Sequence, residues 1–361
     1  MAYSLNTLLR TMIEQGASDL HLTVGAPPAF RVNGQLYRSK SQILMPEDTQ
    51  SLCYSLLTDE QKRKFEEKKE LDFAFGVKNV ARLRANIFIQ RGAIAGVFRR
   101  IPSEVPNLED LGFGSHVQGL TEKPNGLVLV TGATGSGKST TLAAFLNSIN
   151  KSKRYHIITI EDPIEFTHKH ATSLVNQREI GPDCESFGTA IRQALREDPD
   201  VLMVGEMRDQ ETAEATLRAA ETGHLVFSTL HTNGAVQSIN RLIQMFPHDR
   251  QDYIRTLLSF TLEAILSQAL VETIDKSRRV MVYEYLALTP AIRNLIREDK
   301  LHQVYSQMQI GQEIHGMTTM NQGLARFVQQ GVVSLDQAFS WSPDTEELER
   351  LTSKNSGRKI A

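Results

Sequence analysis

The chain of 361 residues carries 40 Lys and Arg against 42 Asp and Glu, a formal net charge of −2. It is long enough for two cores, and the near-neutral balance argues against nucleic acid as the main partner, which asks for a basic surplus. The 2 cysteines, Cys53 and Cys184, stand too far apart for a metal or redox pair; no apolar run nears the roughly 18 residues of a membrane span, and nothing reads as a signal peptide.

The first hundred residues read as a small α+β domain. Leu5, Leu8, Leu9, Met12 and Ile13 recur at helical spacing, with Gly16 placed as the C-terminal cap. Ala29–Val32 and residues 35–37, separated by Asn33-Gly34, predict a tight β-hairpin. Pro46 suits the first turn of a helix through Leu57, and Thr58 with Gln61 resembles a capping box for the next. Residues 80–101 predict a second hairpin that turns near Arg91-Gly92. Pro102 to Pro106 and the following Glu-Asp-Leu-Gly read as a linker.

From about residue 116, strands alternate with helical patterns, which implies a mainly parallel sheet covered on both faces. The expected strands are 127–131, 156–161, 201–206 and 225–230, then 280–287, before a mostly helical tail over 291–351. The expected division is 1–100, a linker over 101–115, an α/β core over 116–288 and a helical region over 289–361.

The strongest motif is Gly132-Ala133-Thr134-Gly135-Ser136-Gly137-Lys138-Ser139-Thr140, a complete G-x-x-x-x-G-K-[ST] loop. A short apolar, strand-like run precedes it and helical spacing follows, the context the motif requires. Glycines let consecutive N–H groups turn inward around phosphates, and a helix N-terminus adds partial positive charge. Lys138 supplies a point charge for the β- and γ-phosphates, and Ser139 a hydroxyl for Mg²⁺. The expectation is a nucleoside triphosphate site.

Hydrolysis needs a carboxylate for the attacking water and acids near the metal. The apolar run 201–204 ends in Gly205-Glu206, where such strands usually end in Asp-Glu. Glu206 is therefore the expected general base, and Glu161, Asp162 and Glu165 are the expected acids near the metal. His224 and His231 bracket another apolar run, and an imidazole at the γ-phosphate would report bound triphosphate. Arg82 and Arg84 alternate onto one strand face, with Arg91 near the turn, and are expected to offset phosphate charge. Arg99 and Arg100 read as ordinary surface or interdomain contacts.

Together, in this order, the phosphate loop and the segments 160–166, 201–208 and 222–232 resemble the hexameric ATPases of the secretion superfamily, which power type IV pili and type II secretion. Ala17-Ser18-Asp19-Leu20-His21-Leu22 is similar as well. The chain has neither the large added N-terminal region nor the tetracysteine zinc site of the extension and secretion members. Thr289-Pro290-Ala291-Ile292-Arg293-Asn294-Leu295-Ile296-Arg297-Glu298 is instead similar to a marker segment of the pilus-retraction branch. By its own pattern Thr289 caps, Ile292, Leu295 and Ile296 form a buried stripe, and Arg293 and Arg297 share another face.

The resemblance implies an N-terminal PAS-like α+β domain, a RecA-like P-loop ATPase domain and a helical C-terminal region, assembled as a homohexamer. It implies ATP with Mg²⁺, held between the two domains and completed by arginines of the first. It also implies a cytoplasmic motor at the inner-membrane face of the pilus base, acting through a membrane-embedded platform protein to retract pili. A retraction-accessory paralogue and a RecA-like nucleic-acid translocase are the alternatives; the charge leaves no nucleic acid expected.

Overall fold

The computed structural model describes residues 4–32, 34–77, 81–102 and 104–353. Asn33 of the expected hairpin turn, Val80 of the second hairpin and Ser103 of the expected linker lie outside the described residues. The chain divides into two units, Met1–Glu104 with Pro163–Thr167, and Val105–Asp162 with His168–Ala361.

In the first unit the helical spacing produces a helix over Leu5–Glu14 that buries Leu5, Leu9 and Met12. Gly16 follows at φ +65, the left-handed geometry expected after a helix end. Strands β1 (Asp19–Leu22), β2 (Ala29–Val32), β3 (Gln35–Arg38), β4 (Glu70–Val77), β5 (Ala81–Gln90) and β6 (Ala93–Ile101) form one sheet in the order β3-β2-β1-β6-β5-β4. Every pairing in it is antiparallel. Both expected hairpins are present, and β1 and β4 add two strands that carry no hairpin signal in the sequence. Leu20, Phe30, Leu83, Ala85, Ile87 and Phe98 bury one face against helices Leu5–Glu14, Pro46–Tyr54 and Asp59–Lys68. The last helix begins as expected: Thr58 accepts from the Gln61 N–H while the Gln61 side chain accepts from the Thr58 N–H.

The second unit is built on β7 (Gly126–Thr131), β8 (His156–Glu161), β9 (Leu174–Glu179), β10 (Val201–Val204), β11 (Leu225–Leu230), β12 (Leu262–Glu272) and β13 (Arg279–Ala287). Their order is β13-β12-β7-β11-β10-β8-β9. All neighbours are parallel except β13, which returns antiparallel along β12. Strands β7, β10 and β11 are buried at every residue, which is why they read as unbroken apolar runs. One apolar cluster covers each face, and Phe113, Phe145 and Phe227 stack on one of them.

Two strands escape the sequence pattern. β12 begins at Leu262, directly after helix Gln251–Thr261, with no turn residue to separate them. β9 is an edge strand whose buried and exposed positions mix. Strand β10 stops at Val204, so Gly205 and Glu206 stand beyond it in the loop rather than in the strand. The described tail is helical, and Met320, Leu324, Val333, Ala338 and Leu348 pack it onto Ala269, Val271 and Val282 of the β12–β13 hairpin.

Candidate active site

The phosphate loop leaves the C-terminal end of β7 and enters helix Lys138–Ser152. Gly132, Gly135 and Gly137 adopt φ of +140, +80 and +92, conformations that side chains resist. A Cβ on Gly132 would lie 2.3 Å from Gln268 O and 2.6 Å from Ser136 Oγ. Lys138 is buried and donates to Gly132 O (2.8 Å) and Ala133 O (3.0 Å), curled over the loop. The Ser136 hydroxyl is buried within the cradle without a hydrogen-bond partner. A glycine-lined cradle, an inward lysine and an unsatisfied hydroxyl at a helix N-terminus fit a phosphate chain. Ala133, Thr134 and Thr140 lie in the loop and first turn, and Ser139 is the second residue of the helix. Beside Ser136, Gly137, Thr140 and Thr141 opens a cavity of about 410 Å³ that extends to Arg279 and Phe327.

Glu206 and His231 follow β10 and β11, at the same end of the sheet as the loop. His231 Nε2 lies 3.1 Å from Glu206 Oε2, and Arg208 Nη2 lies 2.5 Å from Glu206 Oε1. Both carboxylate oxygens are thus engaged by side chains. Gly205 donates to Ile160 O (2.8 Å), and a Cβ there would come within 3.3 Å of that oxygen. A side chain at this position would need that backbone to give by a few tenths of an ångström. A cavity of about 280 Å³ beside Glu206 is lined also by Asp162, Arg208 and Asp209. Behind the site, Ser238 Oγ lies 2.6 Å from Thr232 Oγ1 and 3.4 Å from Thr131 Oγ1. The segment after His231 is thereby tied to the strand that feeds the phosphate loop.

Two expectations within the second unit need correction. His224 sits at the opposite, N-terminal end of β11, where its backbone carbonyl accepts from the Gly126 N–H at the start of β7. At about 3.3 Å per strand residue, it is on the order of 20 Å from this chain's phosphate loop. Its ring nitrogen instead approaches Ala219 O at 3.0 Å. Within the second unit the expected metal set is spread out: Glu161 stands three strands from β7, while Glu165 is part of the first unit. At about 4.8 Å per strand, Glu161 is about 14 Å from β7. Thr159 Oγ1 and Gln177 Nε2 donate to the Glu161 carboxylate, which turns it towards β9. Among the described residues no three His, Cys, Asp or Glu side chains gather as a metal site. Magnesium does not require such a cage, since it keeps waters and takes substrate phosphates as ligands.

The arginines of the first unit are also redistributed. Arg84 and Arg99 are cross-strand partners on the sheet face opposite the core, and Arg82 shares that face. Arg84 Nε binds Asp72 Oδ1 at 2.9 Å; Arg99 Nε binds buried Asp19 at 2.7 Å, and Arg31 lies 3.8 Å from the same carboxylate. Burial works against ionisation of Asp19, but the Ser18 hydroxyl and the Arg99 guanidinium hold its carboxyl below the usual range. Arg91 stands apart in the β5–β6 turn at φ +49, on the order of 20 Å along the strand from Arg84.

The marker helix Pro290–Arg297 begins as expected, with Thr289 Oγ1 accepting from the Ile292 N–H and with Ile292 and Ile296 buried. Its two arginines, four apart on the helix, take different partners. Arg293 donates to Leu288 O (3.2 Å), Ser259 O (2.9 Å) and Phe260 O (3.2 Å) and pairs with Glu263, whereas Arg297 donates to Asn294 (2.7 Å).

A family model described as type II/IV secretion system protein matches residues 1–340. The chain is 48% identical over 334 residues to the type IV pilus retractation ATPase PilT of Pseudomonas aeruginosa, covering 92% of this chain and 96% of that protein. It is 45% identical over 348 residues to a twitching motility protein of Neisseria gonorrhoeae, covering 96% and 93%. Among solved structures it resembles the pilus retraction motor PilT with bound ADP, with a TM-score of 0.91 and 52% identity over 96% of this chain and 99% of that one.

Proposed function

We propose that this chain, which belongs to the type II/IV secretion system protein family, is the ATPase that drives type IV pilus retraction. The observation that carries this reading is the pairing of Glu206 with His231 at the phosphate-loop end of the sheet, within a chain similar over nearly its whole length to a retraction ATPase.

In this reading the loop N–H groups from Ala133 to Ser139 and the Lys138 ammonium hold the triphosphate, with the nucleoside in the neighbouring cavity. The Ser139 hydroxyl would hold a Mg²⁺ ion, which would supply charge neutralisation at the phosphates. Glu206 takes the proton of the attacking water, and His231 keeps its carboxylate aimed across the sheet end. For Glu206 to accept that proton, the Arg208 contact on Oε1 gives way. Arg82 and Arg84 are assigned on family resemblance to offset phosphate charge, and Arg99 joins them by its place on the same face.

The same reading has the chain working as a homohexamer at the cytoplasmic face of the inner membrane, acting on the pilus through a platform protein. No helix of the described residues is long and apolar enough to cross a membrane, consistent with docking rather than insertion. Steady-state ATPase and nucleotide-binding assays on Lys138→Ala and Glu206→Gln test the chemistry. The first is expected to lose both, the second to lose turnover while still binding ATP. Full turnover by Glu206→Gln would remove the base from the scheme.

A further inference from the structure

We infer that Gln268 is a positioning residue for the nucleotide, holding the phosphate loop in its binding shape from the adjacent strand. Gln268 lies on β12, is 2% exposed, and bonds both the loop and the first turn of the helix that follows it. Its amide Nε2 donates to Ser136 O at 2.8 Å. Its Oε1 accepts from Thr141 Oγ1 at 3.0 Å. Its backbone carbonyl occupies the space where a Cβ on Gly132 would fall, at 2.3 Å.

One planar amide therefore spans the end of the loop and the first turn of the helix it feeds. The arrangement also explains two loop glycines. Gly132 yields to the Gln268 carbonyl, and a Cβ on Gly137 would stand 3.2 Å from Gln268 Nε2. An amide suits this position because it needs a donor on one side and an acceptor on the other. A carboxylate would face the Ser136 carbonyl without a proton to give, and would set negative charge behind the bound phosphates. Binding N–H groups that are already aimed inward avoids an ordering cost when nucleotide arrives.

The inference rests on the ATPase reading, and its test includes a binding measurement that does not depend on turnover. Gln268→Glu, Gln268→Met and Thr141→Val are compared with the unaltered chain for KM and kcat with ATP, and for ADP affinity by titration. Gln268→Glu is expected to weaken ADP binding and raise KM by at least about tenfold, the scale of one lost charge-sensitive contact, while kcat changes far less. Gln268→Met is expected to shift both in the same direction by less. Gln268→Met with Thr141→Val is expected to cost less than the sum of the two single changes. Unchanged ADP affinity in Gln268→Glu, or a fall in kcat alone with KM and affinity intact, would reduce Gln268 to a fold-stabilising side chain and overturn the proposal. Where Gln268→Glu does not fold, the Gln268→Met and Thr141→Val cycle decides, and additive effects overturn it equally.

Discussion

Glu206 has one oxygen on His231 and the other on Arg208, so its carboxylate is oriented before any substrate arrives. General-base residues contribute about 10²–10⁴-fold, and Glu206→Gln should lower kcat within that range. His231→Ala should lower kcat by a smaller factor, since it acts through Glu206. His224→Ala should leave ADP affinity unchanged, because the ring lies at the far end of β11 beside Ala219; a large loss of affinity would contradict that placement. The phosphate loop, Glu206 and His231 are legible in the chain because each abuts an apolar strand that ends where ligands sit. His224 abuts the same strand from its other end, and a linear pattern does not distinguish the two ends by chemistry. Gln268, and the Thr131–Ser238–Thr232 cluster, are not legible at all: their partners lie up to 132 residues away and depend on strand order.

At the scale of elements, two polar side chains fasten the helices around the sheet. Arg293 satisfies carbonyls at the end of helix Gln251–Thr261 and pairs with Glu263, itself little exposed. Arg293→Ala should therefore destabilise the chain by about 1–3 kcal/mol, the cost of leaving such groups unsatisfied, whereas Arg297→Ala should leave the melting temperature nearly unchanged. Equal melting curves for the two would refute the fastening role. Buried Glu284 on β13 accepts from the Ala235 N–H (2.7 Å) and the Met320 N–H (3.2 Å), and so holds two helix starts, one of them just after the His231 segment. Burial raises its pKa against the pull of these two N–H groups, and nearby Glu347 adds to the rise. The folded state then binds this proton more tightly than the unfolded state does. Its contribution to stability is full below the ordinary carboxylate range and is lost as pH rises through the raised value. Thermal melts across pH should show that slope in the unaltered chain and a flatter one in Glu284→Gln; parallel curves would contradict it. The helix starts at Thr58 and Thr289 were legible from their local capping patterns. These long-range fastenings were not, and neither was β12, which starts without a break after a helix.

At the scale of the molecule, the chain folds as an antiparallel α+β unit and a mainly parallel α/β unit that carries the phosphate loop. Alternating strand and helix patterns announced the second architecture, because buried parallel strands are continuous apolar runs. The first was legible through its helices and hairpins but not as a whole sheet; β1 and β4 are short or half-exposed and lack a turn signal of their own. Output from such a motor is mechanical, so ATPase assays alone do not separate retraction from any other use of hydrolysis. The most direct test deletes the gene in its own cells and restores it as the unaltered chain or as Glu206→Gln, with surface pili and twitching motility scored together. The account predicts hyperpiliated, non-twitching cells, rescued by the unaltered chain and not by Glu206→Gln. Bald cells, or full rescue by Glu206→Gln, would contradict it.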